Sequence, residues 1–144
     1  MKRSTLLATG LMTVSLCTLS MPAFAATSVA LPPAQTQGMV TYRSGGIGHD
    51  EAQAFAAAAS QYPLALEFAV KHQPRAEFTA GVHVIIKDAH SKPVLDTRSD
   101  GPFLLAKLPT GSYTVVAEWQ RQTHTQMVHV NPAKPTHVLF LWTA

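Results

Sequence analysis

From Leu64 onward, apolar side chains recur at every second position, and this alternation constrains the fold more than any other feature. A period of two turns one side of a strand toward a core and the other toward solvent. Short alternating runs separated by Pro, Gly, Asp and Asn are typical of antiparallel sandwiches and barrels. The clearest inward positions are Leu64, Leu66, Phe68 and Val70, and then Val82, Val84 and Ile86.

The alternation predicts about seven strands between residues 64 and 144. We expect a mainly β chain, an antiparallel Greek-key β-sandwich preceded by one short α-helix. The turn Ser99-Asp100-Gly101-Pro102 divides two of the shorter strands. The predicted strands are Leu64 to Lys71, Val82 to Lys87, Val94 to Arg98, Phe103 to Lys107, Tyr113 to Gln120, Thr123 to Val130 and His137 to Trp142.

The last three strands can be aligned through their turns. A two-residue turn at Arg121-Gln122 sets Val115 opposite Val128, and a turn before His137 sets His129 opposite His137. On the outward side this alignment makes an apolar row of Val116, Met127 and Leu139. The inward side then carries Tyr113, Val115, Ala117, Trp119, Val128, Val130, Val138, Phe140 and Trp142.

A short strand over residues 39–42 and one helix are predicted before the sandwich, in the segment from residue 38 to 63. Gly45-Gly46-Ile47-Gly48 breaks regular structure, Asp50 and Gln53 resemble a capping box, and Pro63 ends the helix. We expect its Phe55 side to cover the outward apolar row, with a partner protein as the alternative cover. The predicted helix stripe comprises Ala52, Phe55, Ala56, Ala59 and Tyr62.

Residues 1–25 resemble an export signal. Lys2 and Arg3 precede a mostly apolar stretch, and Ala23-Phe24-Ala25 has small residues where signal peptidase cleaves. We therefore predict cleavage after Ala25, a periplasmic product, and an extended lead-in over residues 26–37. Cys17 allows a lipoprotein as the alternative, although Leu16 is larger than the residue that usually precedes a lipidated cysteine.

Composition argues against a nucleic-acid partner and against a transmembrane segment. Lys2 and Arg3 are lost with the leader, so nine Lys and Arg would face eight Asp and Glu, a net charge of +1. Scattered charges of this kind do not form the basic stripe that follows nucleic acid. No later apolar run approaches the roughly 20 residues of a spanning helix, so no transmembrane segment is expected.

The segment Leu108-Pro109-Thr110-Gly111-Ser112-Tyr113-Thr114-Val115, preceded by Ser99 to Phe103, resembles the carboxypeptidase regulatory-like domains of prealbumin-like fold. In layout the chain is also similar to uncharacterised exported bacterial proteins with this domain. The resemblance implies a sandwich and a periplasmic location, and implies no reaction. Transthyretin-like hydroxyisourate hydrolases share a related fold, but their Tyr-Arg-Gly-Ser terminus is replaced here by Leu141-Trp142-Thr143-Ala144.

Candidate chemistry is sparse. His129 facing His137, with Met127 adjacent, suggests a copper or zinc site, but two imidazoles supply only two ligands. The Gly45 to Gly48 loop before a helix invites an anion, but Asp50 and Glu51 already place negative charge there. No nucleophile elbow or other catalytic signature is present.

We therefore expect a non-catalytic exported binding module without a cofactor, a resident metal or catalytic residues, whose partner is an envelope protein. The first alternative is a periplasmic copper- or zinc-handling protein that uses surface histidines. The second is a hydrolase with an unfamiliar site. The identity of the partner and the oligomeric state stay open.

Overall fold

The computed structural model describes residues 29–144, which form ten strands and one helix arranged as two facing sheets. The predicted signal peptide and the first residues of the lead-in lie outside these residues. The elements are β1 (Gln35–Gln37), β2 (Val40–Gly45), α1 (His49–Ala58) with a 3₁₀ turn (Ala59–Gln61), β3 (Leu64–His72), β4 (Arg75–Phe78), β5 (His83–Lys87), β6 (Pro93–Arg98), β7 (Phe103–Lys107), β8 (Gly111–Trp119), β9 (Gln122–Val130) and β10 (Thr136–Thr143).

Sheet A has the strand order β1-β2-β7-β3-β10, and the short β4 pairs with the far end of β3 beyond β7. Sheet B has the order β6-β5-β8-β9. All neighbouring strands are antiparallel except β3 and β10, which run parallel from Leu64 beside Thr136 to Lys71 beside Thr143. The mainly β fold with a preceding helix confirms the prediction from the alternating pattern.

The core lies between the two sheets and consists of the inward positions that the alternation predicts. Phe68, Phe140 and Trp142 meet there with ring centroids 6.1 to 6.3 Å apart, in tilted and stacked arrangements. The Trp142 indole donates a hydrogen bond to the Gln122 carbonyl at 3.0 Å, so its polar atom is satisfied. Of the nine side chains predicted inward on the last three strands, all are buried except Trp119, which is half-buried.

Two strands have no counterpart in the prediction, and a third is longer than expected. β1 contains only Gln and Thr, and β4 (Arg-Ala-Glu-Phe) is exposed throughout, so neither shows the apolar alternation that marks a half-buried strand. The strand expected at residues 39–42 becomes β2, which extends to Gly45 because it pairs with β7 along five residues.

The turn between β8 and β9 differs from the prediction by one position. It consists of Gln120 and Arg121, both with positive φ (45° and 65°), as in the turns that match strand twist. Tyr113 therefore lies opposite Val128, and Val115 lies opposite Gln126. The predicted pairing of Val115 with Val128 is wrong by two residues. Because side-chain direction repeats every two residues, the inward and outward assignments are unchanged.

The predicted hairpin between β9 and β10 is wrong. After the turn at Asn131–Lys134, where the Lys134 N–H donates to the Asn131 carbonyl, the chain crosses to sheet A. The Thr136 N–H then donates to the Pro63 carbonyl at 2.9 Å and starts the parallel pairing with β3. His129 and His137 consequently lie in different sheets. The predicted row of Val116, Met127 and Leu139 is divided in the same way.

Helix α1 and its 3₁₀ turn confirm the predicted helix, but its start and its docking site differ. Gly48 is the N-cap and no side chain caps the helix, so the predicted Asp50–Gln53 capping box is not formed. The helix covers the outer side of sheet A, whereas the prediction placed it on the Val116 row. No helix between residues 29 and 144 has both the length and the apolar character needed to cross a bilayer.

Candidate functional site

The outer face of sheet A is divided into a covered half and an open half. On the covered half, Phe55 of α1 is fully buried against Leu105 and Ala65, and its ring stacks on Phe103 with centroids 5.8 Å apart. Tyr62, which follows the 3₁₀ turn, belongs to the same cluster. This second core lies outside the sandwich and fixes the helix over β7 and β3.

Arg43 and Lys107 hold the end of the helical segment on the sheet. Arg43 on β2 donates from Nε to the Tyr62 hydroxyl at 2.9 Å and from Nη1 to the Pro32 carbonyl. The Lys107 ammonium lies 5.0 Å from the centre of the Tyr62 ring, within the range of a cation–π contact. The lead-in and the helix are therefore tied to the same half of the sheet.

The open half carries an apolar patch that no element covers in the described part of the chain. Strand register places Phe78 of β4, Ala69 of β3 and Leu141 of β10 in one row across the sheet. Leu139 lies two residues before Leu141 on the same side. Phe78, Leu139 and Leu141 are 57%, 54% and 39% exposed, whereas Ala69, which lies between Phe78 and Leu141 in this row, is buried. We call Ala69, Phe78, Leu139 and Leu141 the open-face patch.

A polar pair borders the open-face patch. Glu67 lies beside Leu139 on the neighbouring strand, and its Oε2 is 2.9 Å from His137 Nε2. The carboxyl side chain is mostly buried and the imidazole is more than half exposed. The patch thus has the apolar centre and polar rim that protein-binding surfaces share.

The two histidines of the metal hypothesis still lie near each other, although not as strand neighbours. His129 and His137 line one shallow depression together with Met127. Ser112 Oγ lies 3.4 Å from His129 Nδ1, and His137 is held by Glu67. Within residues 29–144, no three His, Cys, Asp or Glu side chains are grouped closely enough to hold a metal ion. The pairing that motivated the metal site is absent.

The glycine-rich loop before α1 is closed by the protein's own carboxylate. Glu51 Oε1 accepts a hydrogen bond from the Gly46 N–H at 2.8 Å, so an acidic group occupies the position where an anion would bind. This agrees with the reasoning that Asp50 and Glu51 oppose a phosphate there. The loop acts as a tight connection between β2 and the helix.

The pKa values of Tyr113 and Asp88, two groups that interact with each other, are shifted. Burial, with a smaller contribution from the charge of Asp88, raises the pKa of Tyr113. The Lys92 and His90 backbone N–H groups donate to Asp88 and lower the pKa of its carboxyl group. The Tyr113 hydroxyl donates to the Pro109 carbonyl at 2.7 Å, so it locks the turn before β8.

The chain matches no family model and no curated protein.

Sequence reasoning missed the open-face patch for two reasons. Phe78 was not assigned to a strand, and Leu139 was placed in a row with Val116 and Met127, which are on the other sheet. The available signal was the alternation of Ala76 and Phe78 with charged residues after Pro74, a run too short to stand out.

Proposed function

We propose that this protein is a non-catalytic exported β-sandwich module that binds another protein of the bacterial envelope through the open-face patch. The observation that carries the proposal is the uneven cover of sheet A. Helix α1 and Tyr62 seal one half of its outer face, while Leu139 and Leu141 are left exposed on the other half. Phe78 is also exposed and lies at the boundary, with its ring centroid 5.5 Å from that of Phe103. Contiguous exposed apolar side chains with a polar rim are typical of interaction surfaces.

The size of the patch suggests a modest affinity for a single copy. Fully burying a Leu or Phe side chain stabilises by about 1.5–3 kcal/mol, and about half of each of these three is already buried. Covering the remainder therefore contributes roughly 1 kcal/mol per side chain, against several kcal/mol of association cost. Polar contacts at Glu67, His137 and Lys71 are needed to complete the interface.

The division of strands between the two sheets differs from that of immunoglobulin domains. Without β1, β2 and β4, seven strands remain, of which the first, fourth and seventh form sheet A and the other four form sheet B. Immunoglobulin domains instead join their first, second, fourth and fifth strands in one sheet. The Tyr113–Pro109 hydrogen bond also gives the Leu-Pro-x-Gly-x-Tyr segment a structural role.

The predicted leader supports a periplasmic location and can be tested directly. Expression of the full chain in a Gram-negative host should release a protein in the periplasmic fraction whose N-terminus is Ala26. Intact-mass measurement checks the cleavage site. A protein retained in the cytoplasm with residues 1–25 attached would overturn the location.

The binding proposal is tested by affinity capture from envelope extract after chemical cross-linking. We expect Leu139→Ser combined with Leu141→Ser to reduce recovery of the cross-linked partner at least tenfold. Met127→Ser is the matched control, because Met127 is 78% exposed but lies on sheet B. Equal recovery by both variants would contradict the use of the open-face patch. Tight Cu(II) or Zn(II) binding that is lost with His129→Ala and His137→Ala would favour the metal-handling alternative.

A further inference from the structure

The backbone of β10 has one paired side and one unpaired side. The N–H of Thr136 donates to Pro63 and that of Ala144 donates to Lys71, so the even-numbered residues between them turn their backbone groups toward β3. The amides and carbonyls of His137, Leu139, Leu141 and Thr143 therefore point away from β3. No strand between residues 29 and 144 pairs with that side.

The other sheet edges are short or protected. β1 has three residues and β4 has four. β6 begins with a proline, and the Gln37 side chain takes the place of a neighbouring strand. Its amide donates to the Asp96 carbonyl at 3.1 Å, and its oxygen accepts from the Asp96 N–H at 2.6 Å. Charge, proline, shortness and side-chain cover are the usual means of blocking an edge.

The two long edge strands, β9 and β10, differ in how much apolar surface an added strand would bury. Residues 122–126 of β9 are all polar and exposed, so a strand added there would cover little apolar surface. β10 runs for eight residues without Pro, Gly, Lys, Asp or Glu, and Leu139 and Leu141 stand exposed on its outer side. An edge of this length and polarity is normally covered in a working protein.

Residues 26–28, which lie between the predicted cleavage site after Ala25 and the described part, are too few to cover β10. Three residues span at most about 10 Å, whereas an eight-residue strand is about 26 Å long. Val29 and Leu31 moreover line a groove against α1, on the covered half.

We propose that β10 pairs antiparallel with β10 of a second copy across a two-fold axis. Backbone direction fixes the register, because hydrogen-bonded pairs can join only residues whose groups point to the free side. With Leu139 opposite Leu141 of the second copy, all four such residues pair, and His137 lies opposite Thr143. Phe140 then lies at the axis. Registers shifted by two residues leave some of these groups unpaired.

This pairing completes the open-face patch. Leu139 and Leu141 of one copy become neighbours of the same residues of the other, so two separate patches join into one apolar surface across the axis. The proposed dimer is inferred from the unpaired backbone groups of β10. Only the binding of a partner to the joined surface rests on the proposed function. A partner would therefore meet twice the apolar area that a single copy offers.

Cysteine cross-linking tests the register. Paired residues 139 and 141 would have Cα atoms about 5.5 Å apart, within disulfide range, whereas identical positions of the two copies would be roughly 8–9 Å apart. The sole native cysteine, Cys17, lies in the predicted leader. We expect a mixture of Leu139→Cys and Leu141→Cys chains to form a disulfide dimer and each variant alone to form little. Equal cross-linking of the single variants would overturn the register.

Light scattering at about 100 μM tests the dimer itself. The wild-type mature protein should have twice the monomer mass, and a monomer would overturn the proposal. Leu141→Pro removes an edge N–H that β3 does not use, and should weaken the dimer at least tenfold more than Leu141→Ala, which loses only the side chain. Thr143→Pro removes another edge N–H near the strand end and should also weaken the dimer. An unchanged dimer in a folded proline variant would overturn edge pairing.

The two proposals fail separately. If the protein is a monomer and still captures an envelope protein, the proposed β10 pairing is wrong and the proposed binding function is retained. If the protein is a dimer with the expected register but recovers no partner, the proposed binding function is wrong and the proposed β10 pairing is retained.

Discussion

The covered and open halves of sheet A share strand β3 but differ in how their outward apolar side chains are used. Leu105 and Phe103 on the covered half are buried beside Phe55 of the helix, whereas Leu139 and Leu141 on the open half are exposed. Outward apolar residues on both halves look alike in the sequence. A candidate binding surface is therefore identified by the absence of an element packed over the apolar side chains, and not by the apolar residue types alone.

The largest expected difference between the halves is in stability. Phe55→Ala removes a fully buried ring and should lower the free energy of unfolding by about 3–5 kcal/mol. Leu139→Ala, at low micromolar concentration, should change it by less than about 1 kcal/mol because the side chain is half exposed. Urea denaturation measures both. Similar losses for the two variants would remove the distinction between the halves.

A smaller change in stability is expected where the backbone of Gly101 packs closely against Gly45, before α1. A Cβ on Gly101 would lie 2.3 Å from the Gly45 carbonyl oxygen, a backbone atom that cannot move aside freely. Gly101→Ala should therefore destabilise the protein by about 1–3 kcal/mol. The control is Gly111→Ala, whose Cβ would meet nothing closer than 3.7 Å. Thermal unfolding followed by circular dichroism compares them, and an equal change in Tm would contradict the close approach.

The polar attachment of the helical segment should contribute less. Tyr62→Phe keeps the ring against the sheet but removes the acceptor of the Arg43 Nε hydrogen bond, at a cost of about 1–2 kcal/mol. A double-mutant cycle with Arg43→Lys separates this bond from other contacts of Arg43. Additive losses would show that the two side chains do not stabilise each other.

The smallest effect is expected at the rim of the open half. Glu67→Gln disrupts the contact with His137, a pair whose imidazole is more than half exposed. Because solvent screens a pair with one partner this exposed, we expect it to contribute about 0–1 kcal/mol, so the free energy of unfolding should change little. A loss above about 2 kcal/mol in urea denaturation would mean that the open half is held together as firmly as the covered half.

Local pattern was enough to predict the fold class and the facing of the strands. The β8–β9 turn was misplaced because Gln120 and Arg121 adopt positive φ without the Gly or Asn that usually marks such a turn. The error moved the register by two residues, which preserves side-chain direction. Tyr113 and Val115 were therefore assigned correctly to the core despite the wrong partners.

The candidate surface could not be predicted because it depends on pairing between distant segments. Leu139 and Leu141 join Ala69 and Phe78 only because β10 leaves β9 and runs parallel to β3, more than sixty residues earlier in the chain. Chain proximity favours a hairpin between β9 and β10. No hydrophobic period or turn residue in the sequence distinguishes a crossing from sheet B to sheet A from that hairpin. The helix was placed on the wrong sheet for the same reason.

The two ends of sheet A are unequal: β1 contributes three residues and β10 contributes eight. Pairing two copies through β10 would use the long edge strand of each sheet. Only the three-residue strand β1 would then remain as an edge at each end of the joined sheet. Isologous contacts of this type close on themselves. Growth through this sheet would therefore stop at a pair instead of propagating into a filament.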